Sequence, residues 1–209
     1  MADKILFYTH PMSRGRIVRW MLEEVGAPYQ AEIMQFGTTM KDPEYKAVNP
    51  MGKVPAIVHG KAVVTECAAI CAYLADAFPE ANLAPPMKER GDYYRWMFFA
   101  AGPLEAAVTN RTLGVEVAKD RERMVGYGNY AEVMSTLERA VGGHDFIGGY
   151  RFSAADVYVG SQIAWGLQFG TIEKRQAFVD YVARLSERPA YKRATEIDDA
   201  LVREIKAAG

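Results

Sequence analysis

The chain has 209 residues, enough for one large domain or two small ones; half are apolar, and a compact chain of this size buries about 70% of its unfolded surface without metal or disulfide. Lys plus Arg number 25 and Asp plus Glu 26, a net charge of −1 with His neutral, which argues against an electrostatic nucleic-acid binder. The longest small and apolar stretch, Cys67 to Ala75, falls far short of the about 20 residues of a membrane span, and the cysteines Cys67 and Cys71, one helical turn apart, exclude a disulfide scaffold and a Cys-built zinc site.

The opening Met-Ala-Asp-Lys-Ile reads as a strand start and not as a secretory signal. Lys4 to Tyr8 is strand-like. Ile17, Val18, Met21, Leu22 and Val25 then recur at helical spacing, with Arg16, Arg19 and Glu23 on the other face and Gly26 as the stop. Tyr29 to Met34 reads as a second strand. A polar stretch, Gln35 to Pro50, follows, with a short helical turn at Pro43 to Val48. Ala56-Ile57-Val58, the His59-Gly60 turn and Ala62-Val63-Val64 predict a hairpin, and Glu66 to Phe78 a helix closed by Pro79. A strand-helix-strand unit forces a parallel pair and the hairpin adds antiparallel strands, so the expected packing is a four-stranded mixed α/β sheet with helices on its faces.

Residues 79–87 are Pro-rich and suit a linker between a sheet domain at 1–80 and an all-helical domain at 88–209. Lys88 to about Gly114 and Glu122 to Val141 read as long helices, and Gly142 to Gly149 as a glycine-rich loop. Val157 to Gly170 carries no charged residue, which places that helix in the middle of a bundle, with Gly160, Ser161 and Ala164 as a small face for close approach. Helices near Lys174 to Glu187 and Pro189 to Lys206 complete the helical domain.

Three segments carry chemistry. In Asn49-Pro50-Met51-Gly52-Lys53-Val54-Pro55-Ala56-Ile57, Pro55 stands where a strand begins; the segment is an ordinary turn, or a cis proline that turns the Val54 backbone outward toward an extended ligand. Thr65-Glu66-Cys67 opens a helix, whose free N–H groups suit a ligand carboxylate and equally fit plain capping. Tyr8 to Arg16 joins the first strand to the first helix; Ser13 there is a simple N-cap, or a hydroxyl placed where the helix dipole favours an anion.

Taken together, N-P-M-G-K-V-P-A-I followed by T-E-C-A-A-I-C-A-Y-L-A resembles the most recognisable stretch of the cytosolic glutathione S-transferase superfamily. Phe152-Ser153-Ala154-Ala155-Asp156 resembles that family's capping motif, with Ser153 and Asp156 as a variant of the capping box. The resemblance covers nearly the whole chain and implies a thioredoxin-like N-terminal domain, an all-α C-terminal bundle and a bacterial-like, serine-type member. It implies that Lys53, with Lys41, meets the glycine-end carboxylate of glutathione. Val54, before a cis Pro55, pairs through its backbone with the cysteinyl unit, and Glu66 and Cys67 hold the γ-glutamyl end. Cys67 stands where the family has serine, so its backbone N–H carries more of that work.

In this chemistry glutathione is the co-substrate and supplies the nucleophile, and the protein lowers its thiol pKa. Ser13 resembles the thiolate-stabilising serine of the serine-type classes, with Tyr8 as its rival. Arg14 and His10 flank the turn, either adding positive potential or lying solvated. Met12, Trp96, Phe98, Phe99 and Pro103 are candidates for an apolar substrate wall, against the alternative that the helical aromatics are core. The expected activity is conjugation of glutathione to a small hydrophobic electrophile in cytoplasmic detoxification. The alternatives are a glutathione-dependent disulfide reductase or peroxidase, and a non-catalytic binding protein with the same fold. No metal, nucleic acid or membrane partner is expected. The resemblance implies a homodimer, and the spread of Tyr93, Tyr94, Trp96, Met97, Phe98 and Phe99 over more than one helical stripe is consistent with it, some lining the substrate wall and others meeting a partner.

Overall fold

The computed structural model describes residues 4–208, so the strand start read at the N-terminus lies, for residues 1–3, outside the described residues. Its contacts divide the chain into two units: one joins the residues up to Leu83 with those from Glu187 onward, and the other spans Ala84–Ser186.

In the first unit, β1 (Ile5–Thr9) lies centrally in a sheet of order β2-β1-β3-β4. It runs parallel to β2 (Tyr29–Ile33) and antiparallel to β3 (Ala56–His59), which pairs antiparallel with β4 (Ala62–Thr65). The parallel pair needs a crossover, and α1 (Gly15–Val25) supplies it, ending on Gly26 at φ 66°. Ile5, Phe7 and Thr9 alternate into the buried face, the period-2 signature of a half-buried strand. The chain continues through α2 (Pro43–Val48) before the hairpin and α3 (Cys67–Ala77) after it. This is the four-stranded mixed sheet expected of a thioredoxin-like domain.

The last helix departs from expectation. The sequence groups residues 189–206 with the helical domain, whereas α9 (Pro189–Ala208) packs along α1 and clusters with the sheet unit. Polar pairs span that contact: Arg16 to Asp199 at 2.6 Å, Arg19 to Asp198 at 2.8 Å, Arg193 to Glu23 at 3.1 Å and Arg188 to Glu24 at 2.6 Å. Arg19, which helical spacing assigns to the outer face of α1, is buried. Its guanidinium lies over the Phe7 ring at 5.4 Å and the Tyr29 ring at 5.8 Å, and the rings, the Tyr29 hydroxyl and Asp198 replace part of its hydration, with Nη2 left buried and unbonded.

The second unit is helical. α4 (Gly91–Phe99) runs through a π-helical segment at Ala100–Leu104 into α5 (Glu105–Thr112). The long helix read from the sequence is therefore interrupted at Pro103, which has no N–H to give the ladder. The helix read from Glu122 begins instead at Tyr130, as α6 (Tyr130–Gly142). Gly128 adopts φ 68°, and the Asn129 side chain caps the helix by accepting the Glu132 N–H at 3.0 Å. α7 (Ala154–Phe169), the uncharged helix apart from Asp156 in its first turn, is buried along most of its length, and α8 (Gln176–Ser186) packs on it. No helix among the described residues is long and apolar enough to cross a membrane.

Candidate active site

The turn from β1 into α1 holds Ser13. The Ser13 hydroxyl donates to the His10 carbonyl at 2.7 Å and accepts the Gly15 N–H at 3.0 Å, so its oxygen sits on the first amide of α1. Gly15 is required there, because a side chain would run into the buried Thr9 hydroxyl. Arg16 Nε donates to the Pro11 carbonyl at 2.5 Å. His10 is 2% exposed, and burial pushes its pKa below the ordinary value. Its Nδ1 accepts the Met12 N–H at 3.1 Å, so the ring is neutral. It therefore adds no positive charge beside the turn and is not solvated, which corrects both sequence readings of this residue. Arg14 and Met12 are exposed.

Tyr8, the rival to Ser13, packs elsewhere. Its ring lies 5.1 Å from that of Tyr45, in a cluster with Met34, Met40, Val48 and Val54. Burial raises the Tyr45 phenol to about 12 and keeps it a donor. It donates to the Lys53 carbonyl at 2.5 Å, which also accepts Asn49 Nδ2 at 2.7 Å. These two buried side chains fix the loop that carries Lys53 and Val54. Sequence reasoning missed both roles; the Asn-Pro dipeptide was the available signal, since Asn49 Oδ1 also accepts the Met51 N–H two residues on.

The Val54–Pro55 bond is cis, and Val54 precedes the first paired residue of β3. Lys53 is exposed, whereas Lys41 Nζ donates to the Gly52 carbonyl at 2.8 Å, so the ammonium is already engaged by this loop. Gly52, at φ 57°, cannot be replaced freely: a Cβ would lie 2.6 Å from the Met40 carbonyl oxygen.

Glu66 stands at the N-terminus of α3 with φ 68°, a region rarely adopted by residues other than glycine, and its side chain is exposed. Cys67 is buried, and its thiol donates to the Arg14 carbonyl at 3.5 Å. That contact brings the N-termini of α1 and α3, each with its partial positive charge, together. Cys71 is wholly buried, and burial pushes its thiol pKa well up.

In the helical unit, Trp96 is buried with its ring 5.5 Å from half-buried Phe99, and the Arg95 guanidinium covers it at 4.5 Å. Pro103 lies in the π-helical segment and is partly exposed. Tyr93 and Met97 are core, while Tyr94 and Phe98 are exposed. Asp156 is fully buried at the start of α7; its carboxylate accepts from Ile147 N, Ser153 N, Ser153 Oγ and Tyr181 Oη. No cluster of metal-ligating side chains occurs among the described residues.

Residues 12–77 match the family model described as glutathione S-transferase, N-terminal domain. The chain is 27% identical to glutathione S-transferase GstA of Escherichia coli O157:H7 over 165 residues, covering 77% of this chain and 78% of that one. A glutathione transferase structure from Methylococcus capsulatus superposes with a TM-score of 0.77 at 25% identity, covering 94% of this chain and 99% of the other. In the sheet unit the sequence matches the glutathione S-transferase N-terminal domain, and the chain as a whole is similar to cytosolic glutathione S-transferases in sequence and fold. A second structure, of a glutathione transferase family member from Pseudomonas fluorescens with two glutathione molecules bound, matches at 28% identity and a TM-score of 0.73 over 92% of each chain. The matched residues 12–77 contain Ser13, Lys41, Lys53, Val54, Pro55, Glu66 and Cys67, all in the sheet unit.

Proposed function

We propose that the protein is a glutathione transferase of serine type, adding the glutathione thiolate to a small hydrophobic electrophile. The observation that carries this reading is the Ser13 oxygen held on the first amide of α1, next to the N-terminus of α3. Ser13 turns its O–H from the His10 carbonyl to the glutathione sulfur by rotation about Cβ–Oγ, while the Gly15 N–H keeps the oxygen in place. The exchange is favourable because a hydrogen bond to an anion is stronger than one to a neutral carbonyl. The stabilised thiolate then attacks the electrophile, forming the C–S bond, and the leaving group or the protonated adduct departs. One such preorganised donor is worth about 3 kcal/mol.

Glu66 and the Cys67 N–H hold the γ-glutamyl end, Val54 pairs with the cysteinyl backbone, and Lys53 meets the glycine carboxylate. Lys41 braces the Gly52 carbonyl, which makes it the weaker of the two lysine partners. The tilted packing of Tyr8 on Tyr45 supports Ser13 over Tyr8. A mechanism through a protein cysteine is unsupported, since Cys67 is buried on the Arg14 carbonyl and Cys71 is buried with a raised pKa. Within the sheet unit, Met12 offers the electrophile exposed apolar surface.

Titration with glutathione at millimolar concentration tests the binding half, and turnover of an activated aryl halide the chemical half. Ser13→Ala should lose kcat far more than glutathione binding. A crippled Tyr8→Phe beside a normal Ser13→Ala would overturn the assignment. Faster turnover of a small disulfide or hydroperoxide than of the aryl halide would replace conjugation with reduction. The same proposal includes a cytoplasmic homodimer, for which exposed Tyr94 and Phe98 offer apolar surface; sedimentation should give about twice the 23.3 kDa chain mass.

A further inference from the structure

Pro11 to Arg14 lie between β1 and α1; the Ser13 and Arg14 carbonyls accept the Arg16 and Ile17 N–H groups of the first turn of α1 at 3.2 and 3.1 Å, whereas Pro11 and Met12 lie outside both the sheet and the helix ladder. Pro11 has no N–H, and the Met12 side chain is exposed. The turn is instead held by local bonds, and His10 makes them from two directions. Its carbonyl accepts both the Ser13 N–H at 3.0 Å and the Ser13 hydroxyl at 2.7 Å. Its ring Nδ1 accepts the Met12 N–H at 3.1 Å. The carbonyl would be present with any residue at this position; the ring nitrogen is what histidine contributes.

We propose that His10 is a positioning residue for Ser13: its unprotonated Nδ1 closes a side-chain turn on the Met12 N–H and so fixes the hydroxyl over the first turn of α1. The inference rests on the reading of Ser13 given above and adds the residue that holds it.

The geometry is that of an Asx-turn, in which a side-chain acceptor takes the N–H two residues on, with imidazole in place of the Asn carbonyl. An acceptor role needs the neutral ring with its proton on Nε2. Burial favours that state, because a desolvated imidazolium is penalised. The ring is held by Phe36, whose centroid lies 4.4 Å away at 54°, so it cannot swing off Met12 without losing that packing. Arg16 Nε grips the adjoining Pro11 carbonyl from α1, and Asp199 at 2.6 Å from Arg16 Nη2 orients the guanidinium. The peptide between Pro11 and Met12 is thus bonded at its oxygen by Arg16 and at its nitrogen by His10.

The test compares His10→Phe, which keeps a ring against Phe36 and removes the acceptor, with His10→Asn, whose Oδ1 takes the place of Nδ1. The readouts are the thiol pKa of bound glutathione, from its ultraviolet thiolate absorbance, and kcat and KM on an activated aryl halide. His10→Phe should raise the bound-thiol pKa and lower kcat about tenfold, the size of one lost hydrogen bond, with KM for glutathione nearly unchanged. His10→Asn should restore most of both. Equal impairment of the two variants, or a His10→Phe thiol pKa equal to wild type, overturns the proposal.

Nitrogen NMR of the wild-type imidazole gives a check that needs no variant to fold: a ring protonated on Nδ1 overturns the proposal, and one protonated on Nε2 supports it. Ser13→Ala separates the two readings. An unchanged bound-thiol pKa in Ser13→Ala sinks the serine assignment, whereas a raised one beside an unaltered His10→Phe sinks only the role of His10.

Discussion

Replacing Asp156 with alanine should be among the most damaging single changes in the helical unit. The carboxylate is fully buried, and its two oxygens accept four donors: Ile147 N at 2.8 Å and Tyr181 Oη at 2.8 Å on one, Ser153 N at 2.9 Å and Ser153 Oγ at 3.1 Å on the other. The two hydroxyls can rotate to new partners, but the two backbone N–H groups cannot. Each buried orphan costs about 1–3 kcal/mol, and the lost helix cap about 1 kcal/mol more. Burial raises the pKa of this carboxyl despite the four donors, so removing a buried anion returns part of that loss. The expected net loss is about 4 kcal/mol, or about 8–16 °C in Tm for a chain of this length. Asp156→Asn keeps one carbonyl acceptor and orphans one N–H, so it should lose about 2 kcal/mol. Urea unfolding followed by far-ultraviolet circular dichroism measures both. A loss below about 1 kcal/mol for the alanine variant would refute the assignment of these bonds as the anchor of α7.

Asp198→Ala should cost about 3–5 kcal/mol in the same assay, because it leaves the Arg19 guanidinium buried without its counter-charge; replacing both partners with apolar residues should recover most of that loss. A Cβ at Gly160 would fall on the Leu185 side chain, so Gly160→Val should lose about 1–3 kcal/mol through forced separation of α7 and α8, and a neutral result would contradict that contact. Because burial holds the folded-state pKa of His10 below 6.5, its contribution to stability is present above pH 6.5 and is lost as pH falls through the folded value. Wild type should therefore lose stability more steeply than His10→Asn between pH 7 and pH 5, and parallel slopes would count against a buried neutral ring. Tyr45→Phe removes the donor to the Lys53 carbonyl and should weaken glutathione binding about fivefold by calorimetry, with kcat nearly unchanged.

The local parts of this protein are legible in its residues. Period-2 and helical spacing gave the strands and most helices, because one face of each element is buried and the other wet. The missing charges of Val157–Gly170 marked the buried helix, and Ser153 with Asp156 marked its start, since a capping box is satisfied within four residues. The segments around Ser13, Val54 and Cys67 were visible as motifs. What each side chain touches was not. Arg19 reads as one more charge on the polar face of α1; the acid that neutralises it lies 179 positions away, so no spacing rule could pair them. The same distance hid the packing of α9 on α1. His10 reads as a charge beside the turn because local sequence does not reveal burial; packing against Phe36 removed it from water and made it a neutral acceptor. Sequence determined which elements form, through interactions within a few residues; tertiary structure decided which charges keep their protons and partners, because desolvation depends on neighbours that only folding brings together.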